Sequence, residues 1–322
     1  MFKHSDPNAG FPSLVLSCYG ISERENVLIK LGAAMKKLLM LVALSSLLGA
    51  CAQEEREEVA ATAVDAAVAA PVAALPPATP DGYYEYLYCK NGPNYSQDAF
   101  WAMVKDWNGV ISSLEAQPTA AFGYVPRGWE NENFDGLWVM RWADKTAMQA
   151  GWAAYAANDS QSKMDAMHPG VLTCGAVPST DRFGWTAYVP RDIPDGFDPS
   201  NSPYYLTNEL CAFNEGKSAD DMRRVVRDQF LPAVDASMAA NPDSTYWFRI
   251  ERADFVSASG IQVDTNWVNF WQTAEEGEAS AKTFQTSEAG QSIRSAFNEV
   301  SSCQDIQAWD GWLLRAPAAA AE

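Results

Sequence analysis

The stretch from about residue 81 to 315 is written twice, and this repeat limits the possible folds more than any other feature. One copy opens Tyr83-Tyr84-Glu85-Tyr86-Leu87-Tyr88-Cys89, the other Tyr204-Tyr205-Leu206-Thr207-Asn208-Glu209-Leu210-Cys211. Ser96 and Asp98 return as Ser218 and Asp220, and Trp138-Val139 with Trp142 as Trp267-Val268 with Trp271. Cys174 returns as Cys303, and Gly184-Trp185 as Gly311-Trp312. Landmarks that keep their order describe one supersecondary unit duplicated in a single chain.

Each copy reads as βαββαβ. The aromatic run at 83–89 alternates like a strand. Ser96 can cap a helix whose Phe100, Val104, Trp107, Ile111 and Leu114 form one apolar stripe. Residues 121–126 and 137–142 read as strands, and Asp144 as the cap of a second helix. That helix should break near Asn158-Asp159-Ser160 and stop before Pro169-Gly170, with residues 183–189 as the last strand. In the second copy Met222, Val225, Val226 and Phe230 line a helix that Pro232 should kink or end. Residues 246–251 and 266–271 read as strands, and Thr273-x-x-Glu276 as a capping box.

This order resembles the ferredoxin-like split βαβ pattern. A tandem of such units is similar to the dimeric α/β-barrel superfamily, which includes antibiotic-biosynthesis-monooxygenase-like proteins. The resemblance implies an α+β fold: two ferredoxin-like βαββαβ units, 81–189 and 204–315, packed sheet-to-sheet as an intramolecular α/β barrel. Residues 190–203 would link them. The ferredoxin-like strand order also implies the disulfides. It sets the end of the first strand beside the start of the last, which pairs Cys89 with Cys174 and Cys211 with Cys303. Loops this long are worth about 4–5 kcal/mol each in the chain-entropy account.

The N-terminal segment reads as an address. Met35-Lys36-Lys37 precedes an apolar run that ends in Leu48-Gly49-Ala50-Cys51. The ending resembles a bacterial lipobox, with Cys51 as the lipidated residue. The run from Leu38 to Ala50 is shorter than the roughly 20 residues a bilayer core needs. Residues 35–50 are therefore expected to be a lipoprotein signal peptide and 1–34 an over-called leader. Ala52 after the cysteine favours the periplasmic face of the outer membrane by resemblance. Residues 51–80, rich in Ala, Pro and Glu, read as a disordered tether, and 316–322 as a tail. A net charge of −18 argues against nucleic acid as a partner.

The chemistry is sparse. Only two His are present, one of them His168. A strand Trp, a helix Trp152 and then His168 near a helix end resemble haem-degrading monooxygenases of the barrel superfamily. The resemblance implies that His168 ligates haem iron and that Asn208 occupies the position of the family's strand Asn. The plainer reading is a His at the carbonyl end of a helix. Trp138, Trp142, Trp267 and Trp271 share one strand face, which either packs under the helices or walls the barrel interior. Arg141 and Arg249 could bring charge to such a wall. Asn131-x-Asn133-x-Asp135-Gly136 imitates the start of a calcium loop, but Trp142 stands where a bidentate Glu is required. No metal site is expected. The leading expectation is an outer-membrane-anchored lipoprotein that binds a small aromatic or apolar ligand between the two sheets. Trp138, Trp142, Trp152, Asn208, Trp267 and Trp271 would line the site. A haem-dependent or cofactor-light monooxygenase using His168 is the alternative, and a structural envelope protein without ligand the third.

Overall fold

A computed structural model describes residues 75, 78–175, 183–254 and 262–317. The residues expected to form the leader and the signal peptide, Cys51, and most of those expected to form the tether lie outside the described residues. No helix among the described residues is long and apolar enough to cross a membrane.

The first unit runs β1 (Gly82–Asn91), α1 (Gln97–Ser112), β2 (Ala120–Pro126), β3 (Gly136–Trp142), α2 (Lys145–Ala157), α3 (Ser160–Met167), β4 (Leu172–Cys174) and β5 (Phe183–Tyr188). The second runs β6 (Tyr204–Phe213), α4 (Ala219–Val225), α5 (Leu231–Ala240), β7 (Trp247–Ala253), β8 (Thr265–Trp271), α6 (Ala274–Thr286), α7 (Glu288–Val300), β9 (Ser301–Cys303) and β10 (Gln307–Arg315). The caps lie where the short polar residues predict them. Ser96, Asp144 and Thr273 accept from the backbone N–H groups of Ala99, Ala147 and Glu276. The capping box at Thr273 is only half made, because the Glu276 carboxylate turns away to Ser244 and Thr245. Pro232 does not end its helix. A π turn at Val226–Phe230 joins α4 to α5, with the Leu231 N–H reaching back to the Val226 carbonyl.

The strand order within each unit is ferredoxin-like, β2-β3-β1-β5 and β7-β8-β6-β10. The two sheets join edge to edge. β5 pairs with β7 and β10 with β2, all antiparallel, and the eight strands close into one barrel. The short strands β4 and β9 extend β1 and β6, placing Cys89 opposite Cys174 and Cys211 opposite Cys303. Both pairs are disulfide-bonded, as the strand order implied.

The ladders also correct one repeat landmark. Tyr84 pairs with Trp185 and its counterpart Leu206 with Trp309, so Trp185 corresponds to Trp309 and not to Trp312.

Closure buries the inner face of the long strands, and the helices cover much of the outer face. Tyr84, Tyr86, Tyr124, Leu137, Val139, Trp185, Leu206, Val268, Phe270 and Trp309 fill the interior. The alternate positions pack outward under the helices, Trp138 and Trp142 beneath α1–α3 and Phe248 beneath α4–α7. This outer layer is tight. A Cβ on Gly151 of α2 would stand 2.2 Å from the Trp142 ring, and one on Gly277 of α6 would stand 2.3 Å from Tyr205. Nothing lies within 4 Å of a Cβ at Gly109 of α1. In an open helix position, Gly→Ala gains up to about 1 kcal/mol. We expect Gly109→Ala to follow that rule. Gly151→Ala and Gly277→Ala should instead lose about 1–3 kcal/mol through overpacking, read as the shift in urea midpoint.

Candidate functional site

The barrel interior holds one continuous chain of polar side chains. It starts from Arg249 and Glu251 on β7, which are 1% and 0% exposed. Glu251 Oε1 accepts from Arg249 Nε at 2.7 Å and from the Tyr86 hydroxyl at 2.7 Å. Arg249 also donates to the Tyr86 oxygen at 3.0 Å, and its guanidinium lies 3.7 Å from the centre of the Tyr84 ring. Glu251 Oε2 accepts from Asn266 Nδ2 at 2.7 Å. Asn266 Oδ1 accepts from Asn208 Nδ2 at 2.9 Å, and Asn208 Oδ1 from Trp309 Nε1 at 2.7 Å. The chain therefore crosses β1, β7, β8, β6 and β10 and ties the two units together.

Strand parity puts these residues inside, and neighbour size makes room for them. Glu251 lies opposite Ala187 and Trp185 opposite Ala253 on the β5–β7 seam, so at these inward positions a large side chain meets a small one. Burial works against the Arg249 charge, but Glu251 and the surrounding tyrosines outweigh it and hold the guanidinium well above its ordinary pKa.

Beside this chain is a cavity of about 190 Å³. Tyr86, Tyr124, Trp185 and Trp309 supply aromatic wall, Leu206 and Val268 aliphatic wall, and Asn208 and Asn266 the polar floor. The β2–β3 connection bends over this end of the barrel. Its Trp129 and Phe134 pack on Trp309, and Trp129 donates to the Ala308 carbonyl at 2.7 Å. Asn131 and Gln307 stand at the rim. Phe197, from the segment between the units, packs among Tyr204, Trp247 and Phe270 on another part of the interior.

Of the residues expected at a binding site, Asn208 lines this cavity and the tryptophans do not. Trp138 packs on Trp107 at 4.9 Å and Trp267 on Phe230 at 5.1 Å, both under helices. Trp142 and Trp271 lie against the helix glycines Gly151 and Gly277. Trp152, on α2, donates to Glu85 at 2.7 Å in the same outer layer. The reason is parity: Tyr84 and Tyr86 point inward, their antiparallel neighbours follow, and the Trp-bearing positions are left facing the helices. Arg141 is drawn to Asp81 at 3.2 Å, whereas Arg249 is enclosed.

His168 caps α3, and its Nε2 lies 2.9 Å from Asp106 Oδ2 of α1. It is absent from the cavity lining, and its backbone N–H donates to the Met164 carbonyl at 2.9 Å. The barrel cavity is far too small for a porphyrin. The residues present do not fit haem. The calcium-loop mimic is spent on structure: Asp135 accepts from Lys90 Nζ at 2.9 Å and from the Asn91 N–H at 2.8 Å.

Sequence reading missed Glu251, Asn266, Tyr86, Trp185 and Trp309. A signal was present in the alternation Trp247-Phe248-Arg249-Ile250-Glu251, where an aromatic and two charges share one face of a strand.

No family model matches the chain, and neither does any curated protein. Among solved structures it is similar to an anthrone oxidase-like protein, with 10% identity and a TM-score of 0.43 over 75% of this chain and 98% of that one. It is also similar to a chlorite dismutase variant from Candidatus Nitrospira defluvii, with 10% identity and a TM-score of 0.42 over 73% and 93%.

Burial lifts the interior tyrosines, Tyr124 to about 12 and Tyr86 and Tyr204 well above 10. In the unfolded chain a tyrosine releases its proton near pH 10. The folded barrel thus holds protons that the unfolded chain gives up. Stability is full below about pH 10 and falls as pH rises past it. We expect the tyrosinate absorbance of these residues to appear together with loss of near-ultraviolet dichroism. Full tyrosinate absorbance from a still-folded protein would contradict their burial.

Proposed function

We propose that this chain is a binding protein of the bacterial cell envelope that takes a small aromatic or apolar molecule into the barrel interior. The cavity bounded by Tyr86, Trp185, Trp309 and the two asparagines carries the reading. Aromatic walls with a few convergent polar groups are the usual make-up of a small-molecule site. Drug-sized ligands need about 300–1,000 Å³. An engineered cavity of about 150 Å³ accepts benzene. A volume of about 190 Å³ therefore suits a molecule with one aromatic ring.

The location rests on the sequence. The Lys36-Lys37 pair, the apolar run and Cys51 support lipid anchoring, and two disulfides suit an oxidising compartment. Anchoring at the outer membrane would leave the barrel in the periplasm on the tether 51–80.

Two experiments test these readings. Fluorine NMR of fluorobenzene with the purified chain should show saturable binding. Val268→Phe, which fills the cavity from its wall, should abolish it, while Trp101→Ala on the exposed face of α1 should not. Saturation that survives Val268→Phe at unchanged affinity places the ligand elsewhere, and no saturation leaves the barrel a structural module. Cys51→Ser should release the protein from the membrane fraction and remove the acyl mass. Retention of both contradicts the anchor.

A further inference from the structure

The polar floor of the cavity has a fixed direction, and that direction specifies a ligand. Two side-chain amides, Asn266 and Asn208, stand in series between Glu251 and Trp309. Either amide could be turned over if it stood alone. Neither can be turned here, because the two ends of the series are of opposite and unalterable kind. Glu251, ion-paired to Arg249, can only accept. An indole N–H can only donate. Asn266 must therefore present N–H to Glu251 and oxygen to Asn208, and Asn208 must present N–H to Asn266 and oxygen to Trp309. Reversing either amide sets oxygen against carboxylate or N–H against N–H.

Each amide nitrogen carries two N–H groups and has used one. Each amide oxygen has its partner. Among the described residues each amide nitrogen makes one hydrogen bond, so Asn208 and Asn266 each keep a second N–H at the cavity floor. A buried donor without a partner costs about 1–3 kcal/mol, so an occupant that accepts here is favoured over one that cannot.

Charge narrows the class further. Among the described residues that line the cavity there is no Lys, Arg, His, Asp or Glu. Arg249 is the nearby cation, and it is already matched by Glu251 at 2.7 Å. An anionic or cationic ligand would be desolvated with no opposite charge to meet it.

We infer that the cavity selects a neutral, single-ring aromatic molecule bearing a hydrogen-bond acceptor, such as an aryl ketone or aldehyde, whose oxygen is held by the Asn208 and Asn266 amides. Glu251 sets this preference without touching the ligand, as a positioning residue. The inference rests on the barrel-binding reading above and adds polarity to it.

Four ring compounds of similar size separate the possibilities when titrated into the full chain: toluene, acetophenone, benzoate and benzylammonium. Acetophenone should bind at least tenfold more tightly than toluene, and both ions more weakly than toluene. In Asn208→Leu the acetophenone preference should shrink to about threefold or less while toluene binds as before. Retained toluene binding shows that the variant is folded and its cavity open. Toluene matching acetophenone in the unaltered chain, an ion binding best, or a preference untouched by Asn208→Leu would each overturn the acceptor rule while leaving the cavity reading intact. If no member of the series binds, the cavity reading falls and the acceptor rule with it.

Discussion

The β5–β7 and β10–β2 ladders each join an edge strand of one unit to an edge strand of the other. A ferredoxin-like sheet standing alone leaves two edges of unpaired N–H and C=O groups and one uncovered face. Mutual edge pairing removes both problems at once. The edges vanish because the sheet has no end, and the uncovered faces become a shared interior. An eight-stranded closure leaves an interior that side chains nearly fill, with space for at most one small molecule. The cavity thus follows from strand number, and its residues from which side of each strand closure turned inward.

Inside, the Arg249–Glu251 pair is an expensive element. Taking two ions out of water costs several kcal/mol each, and apolar replacements of similar volume often serve stability as well or better. Removing one partner alone is different, because the other ion is left unmatched, at a cost of about 3–5 kcal/mol. What an apolar pair could not do is give the interior a direction. The carboxylate orients Asn266, Asn266 orients Asn208, and Trp309 closes the series from the opposite end.

The duplication has diverged where the chemistry lies. Register sets Arg249 at the place of Phe122, Glu251 at that of Tyr124, Asn266 at that of Leu137 and Asn208 at that of Tyr86. In the second unit every one of these inward positions is an amide or an ion; in the first they are aromatic or aliphatic. The outward layer has kept its character, with Trp142 and Trp271 each opposite a tyrosine of the first strand. A barrel built from two similar halves thereby acquires one polar wall and one aromatic wall.

The sequence by itself determined the strand and helix order of each copy and the helix caps, which depend on local patterning and on a repeat that fixes which positions correspond. The two disulfide pairs came with the ferredoxin-like strand order that this pattern resembles. The sequence could not decide which face of each strand looks inward. Closure buries the inner face and the helices the outer one, so runs such as Leu137-Trp138-Val139-Met140 are apolar throughout and carry no alternation to read. Trp138, Trp142, Trp267 and Trp271 were candidates for the wall for that reason, and Glu251 and Asn266 were overlooked. Nor does a sequence reveal that Arg249 meets Tyr86, because those residues become neighbours only when β5 joins β7. Inward parity and the buried polar series belong to the tertiary structure, because a one-residue change of strand phase exchanges interior for exterior.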